Sequence, residues 1–220
     1  MERSCLYEKY VWEVPVRVTH WVNFLAIIVL SVTGIYIGTA KTLAHEPSQF
    51  VMGWIRFVHF VAAYVFSISV ISRIYWMFVG NKYASWREFV PFRPARGREH
   101  MLDTFKYYTF LNKKAPHPVG HNALAGTAYA AVFILYLVMI CTGFALYSEH
   151  APRSLLHKLT GWLIIFFSNQ GLRLTHHMTM WLLVGFAIHH LYSAWLMDIK
   201  ERGGVMSSIF SGYKAVKRKE

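Results

Sequence analysis

Histidines within an uncharged apolar segment are the residues of this sequence with the clearest chemical potential. Residues 175–197 contain no Asp, Glu, Lys or Arg, yet they hold two histidine pairs, His176/His177 and His189/His190. Ionisable groups at membrane depth are costly and usually mark a functional site. Because His176 and His190 are 14 residues apart, they share one face of an α-helix and lie about 21 Å apart along its axis. Imidazole is a strong axial ligand of haem iron, so this face predicts a haem ligand near each end of the span.

The composition is that of a protein with several membrane spans. Of the 220 residues, 55% are hydrophobic and 15% are charged, whereas soluble domains carry about 25% charged residues. The net charge of +12 lies mainly in the segments between apolar stretches, so it does not indicate nucleic-acid binding. The two cysteines, Cys5 and Cys141, predict neither a disulfide framework nor a metal site with thiolate ligands.

Four apolar stretches are long enough to cross a bilayer as α-helices, since a span needs about 20 residues. They cover about residues 21–40, 53–79, 122–148 and 175–197. The sequence therefore predicts an all-α membrane protein, a four-helix transmembrane bundle that forms one domain over residues 1–220. A fifth apolar stretch, 159–172, has only 14 residues and is expected to lie at the interface or to pack on a partner.

The distribution of Lys and Arg predicts the orientation of this bundle. Three segments, residues 1–20, 80–121 and 198–220, carry 17 of the 23 Lys and Arg residues, whereas the two other loops carry four. Cytoplasmic loops of membrane proteins are enriched in these two residue types. Both termini are therefore expected to be cytoplasmic, so that the first span begins, and the fourth span ends, at the inner side.

This orientation groups four histidines into two pairs at different depths. His20 begins the first span and His190 lies seven residues before the end of the fourth, so these two meet at the inner depth. His59 and His176 lie near the outer ends of the second and fourth spans and meet at the outer depth. The pattern predicts two haems, each held by two histidines, about 20 Å apart. The alternative for each single histidine is a hydrogen bond to a neighbouring helix.

Arginines accompany the proposed ligands at helical spacing. Arg17, Arg56 and Arg173 each lie three residues before one of the four histidines, and residues i and i+3 are neighbours on a helix. Arg73 follows His59 by 14 residues, which places it on the same face at the inner depth. A guanidinium pairs well with a carboxylate, so Arg17, Arg56 and Arg73 are predicted to bind haem propionates. Arg173 is either a further residue of this kind or a loop cation near the lipid headgroups.

Some residues of the spans carry weaker signals. His177 and His189 lie off the ligand face and are expected to support the ligands or to belong to loops. Gly34 and Gly38 form a G-x-x-x-G pattern, which permits the close approach of another helix or of a flat ring.

Short stretches along nearly the whole chain resemble, in their order and spacing, the b-type cytochrome subunits of membrane-bound nickel–iron hydrogenases. The stretches are EVPVRVTHW (13–21), VTGIYIG (32–38), MGWIRFVHF (52–60), RIYWMFVGN (73–81), GHNALA (120–125), TGFALYSEH (142–150), HHMTMW (176–181) and IFSGYKAVK (209–217). The resemblance implies a subunit with two haems that passes electrons from a periplasmic hydrogenase to membrane quinone. The ligands it implies are the four that the spacing selects: His20, His59, His176 and His190. The chain departs from the family at LRLTHH (172–177) and at WLMDIKERGG (195–204).

The resemblance also implies partners and a location. The partners are the hydrogenase small subunit and, through it, the large subunit, together with membrane lipid and quinone; no nucleic acid is expected. The location is the cytoplasmic membrane of a bacterium or archaeon. Because the chain has no set of cysteines for nickel, hydrogen chemistry is expected in the partner, and no catalytic residue is predicted here. Docking is expected at the outer surface, on loop 41–52 and segment 149–174, because exposed apolar patches usually mark contacts.

A quinone site is predicted beside the inner haem, where the loop 80–121 meets the third span. His121 and Asn122 are the candidate polar groups, since quinone carbonyls need hydrogen-bond donors and a histidine near water can relay protons. The alternative role of Asn122 is to cap the third helix.

Three other functions are weighed against electron transfer from hydrogenase. The same bundle can serve a formate dehydrogenase or another periplasmic oxidoreductase, but GHNALA and the SGYK tail favour hydrogenase. A histidine-lined transporter predicts acidic residues along its path, and the four spans contain no Asp or Glu. A passive membrane anchor leaves the paired histidines unexplained.

Overall fold

Four long helices form the membrane part of the protein. The computed structural model describes residues 6–39, 49–89, 123–201 and 204–217, with positions 43, 46, 102, 103, 106 and 111. The long helices are α1 (Val14–Gly38), α2 (Val51–Val79), α3 (Ala123–Ser148) and α6 (Asn169–Glu201). Each is long and apolar enough to cross a membrane, and a helix satisfies its own backbone hydrogen bonds there. The prediction of an all-α membrane protein with four spanning helices is confirmed.

The helices extend beyond the apolar limits of the sequence. Helix α1 begins at Val14 and α6 begins at Asn169, whereas the apolar stretches begin at about residues 21 and 175. Hydropathy marks the part of a helix that fits the hydrocarbon layer, and hydrogen bonding continues the helix into the interface. His20 and His176 therefore lie within regular helix, a turn or more from the helix start.

Two short helices follow α3. Helix α4 (Leu155–Thr160) is capped by Ser154, whose hydroxyl accepts a hydrogen bond from the His157 amide at 3.2 Å, and helix α5 (Trp162–Phe166) follows Gly161. The apolar stretch 159–172 is thus not one element, because it begins at the end of α4, contains α5 and ends in the first turn of α6. Leu172 is only 2% exposed, so that end of the stretch packs inside the protein.

A two-stranded ribbon, not predicted from the sequence, pairs a segment near the start of the chain with a segment near its end. Strand β1 (Leu6–Tyr10) pairs antiparallel with β2 (Tyr213–Lys217), with Tyr10 opposite Tyr213. Helix α7 (Val205–Ser211) leads into β2 through Gly212, whose φ of 89° is a left-handed conformation that favours glycine. The Gly212 carbonyl accepts hydrogen bonds from the amides of Val11 and Trp12. The ribbon therefore fixes both ends of the chain to each other.

The chain divides into two compact units. One comprises residues 1–20, 71–132 and 189–220, and the other comprises residues 21–70 and 133–188. The first is called here the terminal unit and the second the central unit. In the terminal unit the Glu13 carboxylate accepts hydrogen bonds from Trp76 Nε1 at 2.9 Å and from the Asn81 amide at 2.8 Å. These bonds tie the start of α1 to the end of α2.

Candidate functional site

His20 and His190 form a pair in the terminal unit. Their ring centroids lie 6.2 Å apart, with 59° between the ring planes, and both residues are half-buried. Two imidazoles on opposite sides of one metal, each with a bond of about 2.1 Å, have centroids roughly 6 Å apart. The spacing of this pair thus fits two ligands of a single iron.

Two arginines predicted to bind propionates also belong to the terminal unit. Arg17 donates a hydrogen bond to the Phe210 carbonyl, while its buried Nε makes no hydrogen bond to any described residue. Arg73 is 7% exposed and donates from both terminal nitrogens to the Ala84 carbonyl at 3.3 Å. A guanidinium has five N–H groups, so each arginine retains donors for a carboxylate.

An aromatic series connects Arg73 with the histidine pair. The Arg73 guanidinium lies 5.4 Å from the Phe89 ring centroid, Phe89 lies 6.4 Å from Tyr129, and Tyr129 lies 5.9 Å from His190. Tyr129 is a site residue that sequence reasoning missed. Its only signal was its position early in the third span, at the depth expected for His190.

His59 and His176 line one cavity of about 400 Å³ in the central unit. The cavity is walled by apolar side chains of all four long helices, with a few polar groups among them. Arg56 and Arg173 line it as well, so each arginine that precedes one of these histidines by three residues reaches the same space. Pockets of this kind, mostly apolar with a few directed polar groups, are typical of cofactor sites.

The Nδ1 atoms of both histidines face threonine hydroxyls. Thr33 Oγ1 lies 2.8 Å from His59 Nδ1, and Thr142 Oγ1 lies 2.9 Å from His176 Nδ1. Each hydroxyl also donates to a carbonyl of its own helix at 2.6 Å, that of Val29 or Val138. A hydroxyl that donates elsewhere accepts from the imidazole, so the proton lies on Nδ1 and the Nε2 lone pair is left for a metal.

Glycines make room for the imidazoles. A Cβ at Gly143 would lie 3.0 Å from His176 Cε1, and one at Gly34 would lie 3.4 Å from His59 Cε1. A Cβ at Gly38 would lie 2.5 Å from His177 Nε2, closer than real atoms approach. The G-x-x-x-G pattern of α1 therefore accommodates two flat rings, and both are histidines.

Three further histidines of the described residues lie at the cavity or on the surface. His177 lines the cavity, with its Nδ1 2.8 Å from the Arg173 carbonyl, and His150 also reaches the cavity. His189 is exposed and lies 3.3 Å from the Ser193 hydroxyl. The predicted quinone residues His121 and Asn122 lie outside the described residues.

The donor set in both units suits an iron porphyrin. Each unit contributes two imidazoles from two different helices and at least one arginine, whose guanidinium can pair with a carboxylate. The central cavity is mostly apolar, as a porphyrin face requires, and the hydrogen bonds at Nδ1 of His59 and His176 leave Nε2 available to a metal.

Known proteins that are similar in sequence are cytochromes, which hold haem. The sequence model of the family described as "Prokaryotic cytochrome b561" matches residues 11–212. A protein of Bradyrhizobium diazoefficiens is 44% identical over 208 residues, which are 92% of this chain and 84% of that protein. One from Cupriavidus necator is 42% identical over 94% of this chain and 87% of its own length. Both are described as "Probable Ni/Fe-hydrogenase B-type cytochrome subunit". One from Escherichia coli K12, "Probable Ni/Fe-hydrogenase 1 B-type cytochrome subunit", is 36% identical over 94% of this chain and 91% of itself.

Proposed function

The chain belongs to the prokaryotic cytochrome b561 family and, within it, to the B-type cytochrome subunits of Ni/Fe-hydrogenases; on that premise we propose that it carries electrons from a periplasmic nickel–iron hydrogenase to membrane quinone and anchors the hydrogenase. As a member of this family it is a bacterial multi-pass membrane protein with haem b. The cytoplasmic membrane is its proposed location.

Two haems are proposed, one in each unit. His20 and His190 hold the inner haem, with Arg17 and Arg73 as partners of its propionates. His59 and His176 hold the outer haem, with Arg56 and Arg173 at its cavity. When bound, haem b supplies a one-electron carrier at each of these two places. The observation that carries the proposal is the presence of two histidine pairs, each drawn from two long helices.

The proposed orientation has both termini in the cytoplasm. The pairing of β1 with β2, which are near opposite ends of the sequence, supports this orientation. The excess of Lys and Arg in the segments expected in the cytoplasm supports it as well. In this orientation His59 and His176, near the outer ends of the second and fourth spans, are proposed to lie at the periplasmic depth. A periplasmic partner would then pass its electrons to His59 and His176 before they reach His20 and His190.

The hydrogenase small subunit is the proposed partner of the surface formed by α4 and α5. Leu155, Ile165 and Phe166 are 71%, 83% and 75% exposed, and exposed apolar patches of this kind mark contacts. The relatives are described as hydrogenase subunits, and the large subunit is expected to join through the small one. In the proposed orientation this surface lies on the periplasmic side, where such a partner would be.

Quinone reduction is proposed beside the inner haem. The candidates remain His121 and Asn122, which stand directly before the first residue of α3, Ala123. Tyr129, two turns further along α3, contacts the His190 ring. This contact supports a quinone site at the start of α3, because it brings that part of the helix to the inner ligand.

One experiment tests the function as a whole. The chain is purified from membranes with its hydrogenase, its haem content is measured per chain, and absorption spectra are recorded under hydrogen before and after a soluble quinone is added. Two haems per chain that reduce under hydrogen and reoxidise with quinone are expected. A preparation without haem α-bands would refute electron transfer, and haems that stay oxidised under hydrogen would refute the proposed partner.

A further inference from the structure

One dipeptide, Thr-Gly, occurs in α1 and again in α3 beside a proposed haem ligand. It is Thr33-Gly34 in α1 and Thr142-Gly143 in α3, in two of the stretches that carry the family resemblance. Neither helix supplies a ligand of the outer haem. Ligation therefore does not explain why this dipeptide lies beside both proposed outer ligands.

Each dipeptide acts on one imidazole in the same way. The threonine hydroxyl contacts Nδ1 of the ring, at 2.8 Å in His59 and 2.9 Å in His176, and the following glycine lies against Cε1 of that ring. Both threonines are buried, at 6% and 5% exposed. Helix α1 thus holds the ring carried by α2, and α3 holds the ring carried by α6.

We propose that Thr33 and Thr142 are positioning residues of the outer haem, which fix the Nδ1–H tautomer of His59 and His176, direct Nε2 to the iron and lower its reduction potential. The inference rests on the proposed assignment of these histidines as ligands. A hydrogen bond from Nδ1–H raises the basicity of a ligating imidazole, and a more basic ligand favours the oxidised iron. Hydrogen bonding around the ligand is a recognised determinant of haem potential.

The hydrogen bonds that the two hydroxyls donate determine which imidazole tautomer they can stabilise. Each hydroxyl has a single proton, which it donates in a hydrogen bond of 2.6 Å to the carbonyl of Val29 or Val138. The oxygen is then an acceptor only, so it cannot stabilise the opposite tautomer, in which Nδ1 would carry the lone pair. Valine has nearly the same shape as threonine but no acceptor, whereas serine retains the acceptor.

The test is a redox titration of both haems in the complex with hydrogenase, for the Thr33→Val and Thr142→Val variants and for their double variant. The outer haem is identified as the one lost in His176→Ala. At a fixed ambient potential, the ratio of reduced to oxidised outer haem is expected to rise about tenfold in the double variant, which corresponds to about 59 mV for one electron. The inner haem serves as the internal reference, and low-temperature EPR of the oxidised protein should show a changed low-spin signal for the outer haem alone.

The serine variants and one control separate the hydrogen bond from packing. Thr33→Ser and Thr142→Ser should keep the wild-type potential. Thr179→Val should also keep it, because Thr179 is 5% exposed in the same unit and its hydroxyl bonds to the Thr175 carbonyl of its own helix at 2.8 Å.

Three results would overturn the proposal. The first is an unchanged outer potential and EPR signal in the double valine variant with both haems retained. The second is an equal shift of the outer haem's reduction potential in the serine and valine variants. The third is loss of the outer haem from the serine variants as well as from the valine variants. A wild-type protein without an outer bis-histidine haem would instead refute the proposed ligand assignment, and this inference with it.

Discussion

The imidazole rings of His20 and His190 lie 6.2 Å apart, although 170 residues separate them in the sequence. The pair brings together the second turn of α1 and a point about two thirds of the way along α6. Their separation matches two ligands of one iron, whereas a direct hydrogen bond between the two rings would require closer ring atoms.

The first prediction follows from this pair. His20→Ala and His190→Ala should each remove the same haem, because either substitution leaves one ligand for the inner iron. Haem content should fall from two to one per chain, and the remaining haem should still be reduced under hydrogen through the partner. Quinone reduction should fall at least about 100-fold, because replacing an outer-shell partner of a metal ligand already costs about 10–100-fold. Pyridine haemochrome assays and spectra under hydrogen measure both effects, and loss of different haems in the two variants would contradict the pairing.

The second prediction concerns the outer pair. His176→Ala should leave the inner haem bound but oxidised under hydrogen, while dithionite still reduces it, since the partner's electrons are expected at the outer pair first. His189→Ala is the matched control, because His189 is exposed on the same helix and its loss should leave both haems and hydrogen-driven reduction unchanged. If His189→Ala or His177→Ala removes a haem and His176→Ala does not, the assignment by helix face is wrong.

The pairing of the four histidines could be predicted from the sequence alone. Positions 14 apart on a straight helix share a face, and the Lys and Arg distribution orders the spans. From these two facts came the pairing of His20 with His190 and of His59 with His176. The structure places each of these pairs together, while their role as haem ligands stays a prediction.

The residues that hold the ligands could not be predicted in the same way. Thr33 and Thr142 lie on helices that do not carry the rings they contact, so no spacing within one helix indicates them. The sequence signal for these threonines was the Thr-Gly dipeptide that recurs in α1 and α3. The ribbon of β1 and β2 was missed because each strand has only five residues and the two strands pair across nearly the whole chain, a contact that the local sequence pattern does not encode.

The third prediction tests the partner surface formed by α4 and α5. A photo-reactive amino acid at Trp162, whose side chain is 53% exposed, should crosslink to the hydrogenase small subunit in intact membranes. The same probe at Ile68, which is 64% exposed on α2, is the control and should label lipid. Crosslinks to the hydrogenase found only from the segment 80–121 would place the partner on the opposite side.

The fourth prediction concerns quinone. Asn122→Ala should slow quinone reduction about fivefold, as expected for the loss of one hydrogen bond worth about 1 kcal/mol, while both haems stay bound and reducible under hydrogen. Asn122→Ser tests the alternative, since serine caps a helix as well as asparagine does but offers one donor where the amide offers two. Normal quinone turnover in the alanine variant would leave only the capping role.

The fifth prediction uses the glycines that face imidazoles. Gly143→Ala should weaken retention of the outer haem and alter its EPR signal, because the new methyl group would lie 3.0 Å from His176 Cε1 and the ring must shift by a few tenths of an ångström. Gly38→Ala should displace His177 instead, since its methyl group would lie 2.5 Å from His177 Nε2, and both haems should stay bound.

Gly185→Ala is the control for these two variants. A Cβ at Gly185, which lies on α6 like His176, would have no neighbouring atom within 4 Å. Alanine in place of glycine within a helix stabilises it by about 0.5–1 kcal/mol, so this variant should keep both haems and unfold at an equal or higher temperature. Haem loss on mild heating, followed by absorbance, compares the three variants. Equal haem retention in Gly143→Ala and Gly185→Ala would show that the Gly143 contact does not constrain the ring, whereas haem loss in Gly38→Ala would give His177 a larger role in the outer site.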